Sequence, residues 1–579
     1  MAKKKENMLT YLQMPLPEGR KYYKMLKRSW GGLNYRQTID TGALSMEKNI
    51  STLEAPYLTP SQERVSVTDR YNHPIDMFGF DGFLLVIYRD AAAIKVDYIM
   101  LDADGDIAYD ETKKADAIYT GVLKASGATS EDEYPRCVVQ FNVYEESNDI
   151  VNGTYKKKLL IFPDKKSMYF DADALLSDES NNTGNDFALY NMDVTIREYY
   201  NKTAPYLPPE TANHAYYYRN TYKCAETLQG TAVYRYCQYD TVDEEGKNDG
   251  GSVYGWKISA APAFPNIKYA VVHVSRLFGV SDDSVYASGF NDYTNWNMDT
   301  TDSYNESNAW CSKAQSNTKA DGVFTGITNF QGHVVCFKRD YMHEIYNTKN
   351  PFRIQDIFAE GAIDNRTIQD VDGKLIFVSA DDVKIYTGAN PRIIGYNLNM
   401  SGYINAVSGT DGRCYYLYCE NSAGDGRLFV YDTYTEYWSE QAAPGTVLSF
   451  AHNKRGMYVL CLDGKIYRMD TELYAHDWSF ETDLITNETV DIKHIKKLQM
   501  LADIGSGAYL KVYFLYDDEK FNKQTSHLVY TSSGTGQKAI RVKPRPTASY
   551  GVKLHIEGHG YVKLYELELF METGGDLYA

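Results

Sequence analysis

The amino-acid sequence predicts an all-β protein with a β-propeller body, and three observations support this prediction. Apolar runs of five to eight residues, such as Phe83–Tyr88 and Lys158–Phe162, are broken by Asp-Gly and Asn-Gly turns from about residue 67 onward. A unit made of a glycine turn and an apolar strand recurs about every 40 residues. The 52 tyrosines among 579 residues are far above average usage, and tyrosine favours strands and interfaces.

The recurring unit is the most informative of these features. Its turn glycines are Gly332, Gly373, Gly412 and Gly456, which are spaced by 41, 39 and 44 residues. Asp425-Gly426 and Asp463-Gly464 read as the next hairpin of the same sheets, because tight hairpin turns need positive φ angles that Gly and Asp tolerate. A period near 40 residues with four short strands favours a propeller over a long sandwich or a β-solenoid.

Three domains follow from this pattern. We predict an extended basic N-terminal arm over residues 1–66, a β-propeller over 67–479 and a C-terminal β-sandwich over 480–579. The sandwich is indicated by period-two strands at Tyr509–Tyr516, Val552–Ile556 and Tyr561–Leu569. Polar stretches at Ser177–Asp186 and Asp240–Ser252 read as exposed loops, and in the arm only Lys21–Trp30 reads as a short helix.

The charge distribution indicates which classes of partner the protein can bind. A formal net charge of −17 argues against a body that wraps nucleic acid or lies on an anionic membrane. The first 36 residues are basic instead, which fits either a solubilising tail or an arm that docks on an acidic neighbouring subunit or near packaged DNA. The residues predicted to form this subunit-docking arm are Lys3, Lys4, Lys5, Arg20, Lys21, Lys24, Lys27, Arg28, Trp30 and Arg36.

The cysteines and the hydropathy pattern give expectations about the compartment. The eight cysteines contain no C-x-x-C pair, so zinc and thioredoxin-like interpretations fail on spacing, and most of them read as reduced core residues. We find no secretory leader and no apolar run of about 18 residues, and we therefore expect neither export nor membrane insertion.

A search for catalytic and ligand motifs predicts no enzyme, no cofactor and no metal site. The phosphate-binding, zincin and nucleophile-elbow motifs are absent from the sequence. Asp102–Asp106 resembles half of a calcium loop but lacks the required Gly and Glu positions, which favours a hairpin turn. His555 and His559 flank Glu557, yet on a strand they lie too far apart for close chelation. Ser288–Trp296 places the Ser, Asp and Trp of a sialidase box at the wrong offsets.

Several segments nevertheless resemble a known family. These are Ile267–Val280 with Val285–Ser288 and Asn295-Trp296, then Ile327–Lys338, Glu360–Ile363, Leu375–Ser379, Val383–Gly388 and Leu428–Asp432 with Trp438, and the opening Trp30–Asn34. Over residues 28–50 and 265–470 they resemble virion propellers of tailed bacteriophages, similar to tail-hub (nozzle) and stabilisation proteins. The arm and the sandwich are not fixed parts of that family.

The resemblance implies a virion structural protein, made in the host cytoplasm, that forms a homo-oligomeric ring in the tail, neck or baseplate. It also implies contacts with portal, adaptor, tail-tube or baseplate subunits, and passage of DNA without sequence recognition. An acidic body would resist adhesion to that DNA. Two alternatives stay open, a module that binds a host-surface glycan or protein and a hydrolase of cell-surface polysaccharide with two unassigned carboxylates.

Overall fold

The computed structural model describes residues 14–15, 21–27, 30–36, 43–125, 133–145, 154–176, 186–192, 216–229, 232–242, 248–260, 264–296, 309–312, 322–346, 349, 352–358, 360–516, 526–544 and 547–573. Over these residues the chain is nearly all β-strand, which confirms the predicted fold class. The N-terminal segment contributes five strands: β1 (Met14–Pro15), β2 (Lys21–Lys27), β3 (Leu44–Lys48), β4 (Ile50–Ser51) and β5 (Thr59–Pro60).

The next part of the chain holds the first three four-stranded blades of the propeller. Blade 1 pairs β7-β8-β9-β12, with β16 added in parallel, blade 2 pairs β13-β14-β15-β17, and blade 3 pairs β21-β22-β23-β24. Strands β18, β19 and β20, inserted between blades 2 and 3, pair with one another. The elements are β6 (Val65–Thr68), β7 (Pro74–Phe80), β8 (Phe83–Asp90), β9 (Ala93–Met100), β10 (Tyr109–Asp110), β11 (Ala115–Asp116), β12 (Ile118–Lys124), β13 (Cys137–Glu145), β14 (Thr154–Phe162), β15 (Lys166–Tyr169), α1 (Ala172–Leu176), β16 (Asp186–Phe187), β17 (Tyr190–Asn191), β18 (Tyr216–Gln229), β19 (Ala232–Val242), β20 (Asn248–Ala260), β21 (Tyr269–His273), β22 (Arg276–Val280), β23 (Val285–Ala287) and β24 (Trp310–Cys311).

Four further blades follow in sequence order. Blade 4 pairs β25 to β28, blade 5 pairs β29 to β32, blade 6 pairs β33 to β36, and blade 7 pairs β37-β38-β39. Short 3-10 helices, Asn365–Thr367 and Tyr396–Leu398, precede blades 5 and 6. The strands are β25 (Phe324–Phe330), β26 (His333–Lys338), β27 (Met342–Tyr346), β28 (Arg353–Phe358), β29 (Gln369–Val371), β30 (Lys374–Val378), β31 (Val383–Tyr386), β32 (Arg392–Ile393), β33 (Tyr403–Thr410), β34 (Cys414–Asn421), β35 (Gly426–Asp432), β36 (Tyr437–Gln441), β37 (Val447–Asn453), β38 (Gly456–Cys461) and β39 (Ile466–Arg468).

The seven blades close into a ring. Every pair of neighbouring blades shares a buried apolar cluster, including blades 7 and 1. In β8, Leu84 and Val86 pack toward blade 7 while Leu85 and Ile87 pack toward blade 2. Because successive side chains of a strand point to opposite faces, a strand buried on both faces reads as a continuous apolar run. This burial explains the unbroken Phe83–Tyr88 run in the sequence.

The ring is fastened by a strand from before the first blade. Strand β6 pairs antiparallel with β39 and forms the outer strand of blade 7. The Tyr71 amide donates to the Gly464 carbonyl at 3.3 Å, so the chain between β6 and β7 is also held by the last hairpin. Because β6 directly precedes blade 1 in the chain and completes blade 7, the folding of these two blades is coupled.

The repeated glycine turns occupy equivalent places in the blades, as predicted. Gly332, Gly373, Gly412 and Gly456 each lie in the first hairpin of blades 4, 5, 6 and 7, and each has a positive φ. Gly464 lies in the second hairpin of blade 7 with a positive φ, whereas in the second hairpin of blade 6 the positive φ falls on Gly424 and not on the predicted Gly426. The period of about 40 residues is therefore the length of one blade.

The C-terminal residues fold into a two-sheet sandwich, which confirms the predicted domain type. One sheet has the order β1-β2-β47-β41-β44 with β45 on β41, and the other has the order β3-β40-β46-β42-β43. Side chains alternate between buried and half-buried along β46, so one face of that sheet packs inward. The strands are β40 (Asp477–Thr482), β41 (Lys493–Ile504), β42 (Tyr509–Tyr516), β43 (Ser526–Ser533), β44 (Gly536–Val542), β45 (Ala548–Ser549), β46 (Val552–His559) and β47 (Val562–Thr573).

Both sheets of the sandwich take strands from the N-terminal segment. Strand β2 pairs with β47 from Lys21 opposite Thr573 to Lys27 opposite Leu567, and β3 pairs with β40. The short helix predicted over Lys21–Trp30 is therefore wrong. A tertiary contact makes this segment a strand, because the edge of β47 offers β2 a full ladder of backbone hydrogen bonds.

The same segment joins the sandwich to the propeller. The Leu33 amide donates to the Trp438 carbonyl of blade 6 at 2.8 Å. The Asn49 side chain accepts from the Ala442 amide at 2.7 Å and donates to the Asp477 carbonyl of the sandwich at 2.8 Å. One amide side chain thus bridges the two domains. The domain limits predicted after residues 66 and 479 stay predictions.

The structure contradicts one of the two predicted polar loops, and most of the other lies outside the described residues. The loop expected at Asp240–Ser252 is wrong at both ends, since β19 continues to Val242, β20 begins at Asn248, and Asp240 lies opposite Ser252. Ladder hydrogen bonds use backbone groups, so polar residues do not prevent pairing. Residues 243–247 and most of the stretch from Ser177 lie outside the described residues.

Candidate functional site

The described residues of the predicted docking arm make their contacts within the chain. Lys24 is ion-paired with Glu568 at 2.7 Å, and the Arg36 guanidinium stacks 3.5 Å from the Tyr396 ring centroid. The Lys27 ammonium lies 4.7 Å from the ring of Trp30, which is buried in the sandwich core. Burial lowers the pKa of Lys27 to about 8, although Asp483 opposes the shift.

The docking role itself stays a prediction for these residues. Lys24, Lys27 and Arg36 keep a partly exposed surface, whereas Trp30 is committed to the core. Of Lys21 the structure describes the backbone in β2. The remaining predicted arm residues, Lys3, Lys4, Lys5, Arg20 and Arg28, lie outside the described residues.

A second group of polar residues converges at the propeller axis, and we call it the axial cluster. It consists of Asp76, Arg136, Tyr269, Asp364 and Arg366, which come from blades 1, 2 and 3 and from the connection into blade 5. Each lies at or just before the beginning of the first strand of its blade or in the turn leading to it. First strands run in the same direction around a propeller, so their beginnings meet at one end of the axis.

The Asp364–Arg366 pair is the anchored part of the axial cluster. The Arg366 guanidinium donates to both carboxylate oxygens of Asp364, at 3.2 Å and 3.0 Å. Asp364 also accepts from the Arg366 amide at 2.8 Å as the N-cap of the 3-10 helix. On the other side, the Ser408 hydroxyl of blade 6 donates to the Arg366 carbonyl at 2.9 Å. This bidentate pair is held by two blades and is preorganised.

Asp76 is the buried acid of the axial cluster. Its side chain is 4% exposed, and Oδ1 accepts from the Met77 amide at 2.8 Å. Burial raises its pKa to about 6, while the positive charges of Arg136 and of Arg366 across the ring act in the opposite direction. Arg136, just before blade 2, and Arg366, just before blade 5, thus both lie within electrostatic reach of Asp76.

Arg136 and Tyr269 complete the axial cluster. The Arg136 Nε is buried and has no hydrogen-bond partner among the described residues. Tyr269 is buried at the start of β21, and burial and the Asp364 charge raise its pKa while Arg366 and Arg136 oppose the rise. Behind it, the Ala270 amide donates to the Cys137 sulfur at 3.2 Å, which ties blade 3 to blade 2. The two side chains thus lie within electrostatic reach of each other.

A cavity of about 390 Å³ lies near the beginning of β7, and none of the five residues of the axial cluster lines it. Its walls include Pro74, two residues before Asp76, and Tyr134, two residues before Arg136. His73 and Arg89 of blade 1 line it as well. Its volume is in the range of small-ligand sites. A second cavity, of about 420 Å³, lies between the Gly31-Gly32 segment and blades 5 and 6.

The motifs weighed in the sequence lie elsewhere. Asp102 Oδ1 accepts from the amides of Asp104 and Asp106, so this segment is a turn that its own aspartate caps. His555 contacts Glu481 at 3.2 Å, and His559 contacts Asp477 at 2.9 Å, so these histidines use separate acidic partners.

Other features concern metals, membranes and cysteines. Within the described ranges no group of three or more His, Cys, Asp or Glu residues is placed to hold a metal ion, and no described helix is long and apolar enough to cross a membrane. The cysteines whose side chains are described are free thiols, and all but Cys311 are buried, as predicted.

Sequence reasoning did not identify the axial cluster. Its members are separated by up to 290 residues and match no motif. One local signal exists, because Asp76, Arg136 and Arg366 are charged residues placed at or just before the apolar first strand of a blade. Such residues become a site only when the ring closes.

Comparisons with known proteins give structural neighbours alone. No protein-family model and no curated protein matches this chain. BamB from Moraxella catarrhalis is 12% identical over 72% of this chain and 99% of its own, with a TM-score of 0.33. A puromycin-hydrolyzing peptidase of Mycobacterium tuberculosis is 10% identical over 73% of this chain and 61% of its own, with a TM-score of 0.25. A Trypanosoma rangeli sialidase is 7% identical over 88% of this chain and 96% of its own, with a TM-score of 0.18.

Scores this low carry no argument about function. The strand pairing defines the class of protein, an all-β protein in which a seven-bladed propeller, counted over the described residues, is joined to a β-sandwich.

Proposed function

We propose that this chain is a non-enzymatic structural subunit of a tailed-phage virion, which forms a ring in the tail, neck or baseplate and supports assembly and genome passage. The observation that carries the proposal is the inserted sheet β18–β20. Its strands have 14, 11 and 13 residues and pair only with one another among the described residues. At about 3.3 Å per residue such a sheet reaches roughly 40 Å, which suits contact with a neighbouring subunit.

The contacts that join the propeller to the sandwich support a structural role. Asn49 bridges blade 6 and the sandwich, and β2 and β3 complete both sandwich sheets. A body fastened in this way keeps the relative orientation of its faces, which a closed ring of identical subunits requires. We infer that the basic residues Lys24 and Arg36, which stay partly exposed, lie near an acidic neighbour in that ring.

The composition of the axial cluster favours a non-enzyme over a polysaccharide hydrolase. Glycoside hydrolysis commonly uses two carboxyl groups that flank the scissile bond. In the axial cluster Asp364 is engaged by Arg366 through both oxygens, which leaves Asp76 as the carboxyl without a bidentate partner. The Asp76 carboxyl alone does not supply both the general acid and the base or nucleophile of glycoside hydrolysis.

Two measurements test the proposal. Mass spectrometry of purified virions from a phage that encodes this chain should find it as a stoichiometric component, and its absence from the particles would refute a virion role. Mass photometry of the full-length protein should show a ring-sized oligomer. Replacement of residues 216–260 by a short Gly-Ser linker should lower the oligomer to a monomer while the thermal transition of the propeller is retained.

A matched control separates contact from folding. Replacement of the exposed turn residues Ser422–Asp425 by a linker of the same length alters blade 6 but leaves β18–β20 in place, and it should leave the oligomer intact. An unchanged oligomer after removal of residues 216–260 would contradict the assigned role of that sheet.

A further inference from the structure

The cavity of about 390 Å³ lies where blades 7, 1 and 2 meet. One part of its wall is Asn72–Ile75, which leads into β7. The other parts are Arg89 and Ala91 at the β8–β9 hairpin, Tyr134 before β13 and Leu462 after β38. Pockets for small molecules commonly start at about 300 Å³. Closure of the ring thus forms a space of ligand size from three separate blades.

The charge of this cavity is opposite to that of the whole chain. None of the residues that line it is acidic, although the chain has a formal net charge of −17. Arg89 supplies a permanent positive charge, and His73 and Asn72 add hydrogen-bonding groups. Asp90, next to Arg89 in the chain, is ion-paired with Lys95 at 2.6 Å. The cavity is therefore suited to an anion.

The Arg89 guanidinium is anchored at one of its three nitrogens. Its Nε donates to the Ala91 carbonyl at 2.9 Å, and its backbone amide donates to the His73 carbonyl at 2.8 Å. Its Nη1 and Nη2 groups have no hydrogen-bond or ion-pair partner among the described residues. A guanidinium fixed through Nε is oriented before a ligand arrives, and its two Nη donors match the two oxygens of a carboxylate.

The rest of the lining is apolar or aromatic. Pro74, Ile75 and Ala91 form apolar wall, and Tyr134 adds an aromatic ring. Leu462 is 56% exposed, so a ligand that covers it removes apolar surface from water. One permanent positive charge among such walls favours a monoanion over a dianion such as phosphate, because the second charge would lose its water without gaining a partner.

We propose that this cavity binds a carboxylate that is attached to an apolar or aromatic group, supplied by a free organic acid or by the C-terminal residue of a polypeptide. Arg89 holds the carboxylate, and Tyr134 and Leu462 cover the apolar group. This site goes beyond the structural role proposed above and does not depend on it.

The first test uses the full-length protein and phenylacetate, with phenylacetamide and acetate as matched controls. Phenylacetamide keeps the ring and lacks the charge, whereas acetate keeps the charge and lacks the ring. Ligand-observed NMR titration should give a Kd of about 1 mM or tighter for phenylacetate, and each control should bind at least about tenfold more weakly. Equal binding of phenylacetate and phenylacetamide would contradict the role of the charge and overturn the proposal.

Variants place the ligand in the cavity. Arg89→Gln should weaken phenylacetate binding by about tenfold or more, and Arg89→Lys should retain part of it because the charge stays while the fork is lost. Leu462→Ala changes an exposed side chain and should weaken phenylacetate by about fivefold without affecting acetate. The control is Arg353→Gln, since Arg353 is exposed on β28 and lines neither cavity. Thermal unfolding reports whether each variant folds. Undiminished phenylacetate binding by folded Arg89→Gln and Leu462→Ala variants would refute the site.

A further pair of probes distinguishes the two sources of the carboxylate. The tripeptide N-acetyl-Gly-Gly-Phe with a free carboxylate is compared with the same peptide carrying a C-terminal amide. Tighter binding of the peptide acid than of phenylacetate identifies a polypeptide C-terminus as the ligand, and the reverse order identifies a free acid. Either order supports the site, provided that Arg89→Gln weakens the binding. Failure of both acids to bind would overturn the proposal.

Discussion

Glu47 is an acid buried where the N-terminal segment crosses from the propeller to the sandwich. Its side chain is 2% exposed. Oε2 accepts from the Glu440 amide of blade 6 at 3.2 Å, and Oε1 has no partner among the described residues. Burial raises the pKa of Glu47 from 4.5 to about 8, and the backbone hydrogen bond opposes the rise. The folded protein therefore holds this proton at neutral pH, whereas the unfolded chain releases it.

The consequence is a loss of stability as the pH rises. Between the unfolded value of 4.5 and the folded value of about 8, the native state binds one more proton than the unfolded state. Each pH unit in this window then removes about 1.4 kcal/mol from the free energy of unfolding. From about pH 5 to about pH 7 the group accounts for about 3 kcal/mol, in order of magnitude. Burial also raises the pKa of Glu440 to about 7, which adds to the trend.

Glu47→Gln should remove this slope. Glutamine keeps a carbonyl oxygen for the Glu440 amide and does not titrate, so the variant should lose less stability than wild type between about pH 5 and pH 7. Calorimetry at several pH values, with tryptophan fluorescence from the sandwich core as a second probe, measures the difference. The exposed Glu472→Gln serves as control and should keep the wild-type slope. A Glu47→Gln variant with the full wild-type pH dependence would show that Glu47 is ionised in the folded protein.

Three further predictions concern the ring closure and the sandwich. Gly464→Ala should lower the melting temperature far more than Gly412→Ala. Both glycines have a positive φ, so the backbone strain of the two variants is similar. The difference is steric, because an added Cβ at residue 464 would collide with the Tyr71 carbonyl, while one at residue 412 meets no atom within 4 Å. Leu44→Ala should destabilise the sandwich by about 2–5 kcal/mol in urea unfolding, since this fully buried side chain belongs to its core. His555→Gln should lower the free energy of unfolding by up to about 1 kcal/mol near pH 6 and have no such effect near pH 9, as measured by calorimetry. The reason is that Glu481 raises the pKa of His555 in the folded protein. The resulting stabilisation is present below pH 6.5 and is lost as the pH rises through the folded pKa. An equal effect at both pH values would point to packing instead.

Hairpin turns and apolar runs are local properties, and the sequence determined them by itself. The glycine turns of blades 4 to 7 could be placed because positive φ restricts the residue type, and the two-sided burial of strands such as β8 leaves an apolar run. Both signals need only neighbouring residues. The β-propeller with a C-terminal sandwich was predictable for this reason.

Tertiary structure alone decided the pairings between distant segments. The helix-like stretch at Lys21 became strand β2 because the edge of β47, more than 500 residues later, was free to pair with it. Strand β6 likewise became the outer strand of the last blade. The axial cluster depends on ring closure in the same way, since no local rule relates Asp76 to Arg366 until the blades bring their first strands to one axis. Long-range backbone pairing and the convergence of charges are properties of the closed chain, and no short window of sequence contains them.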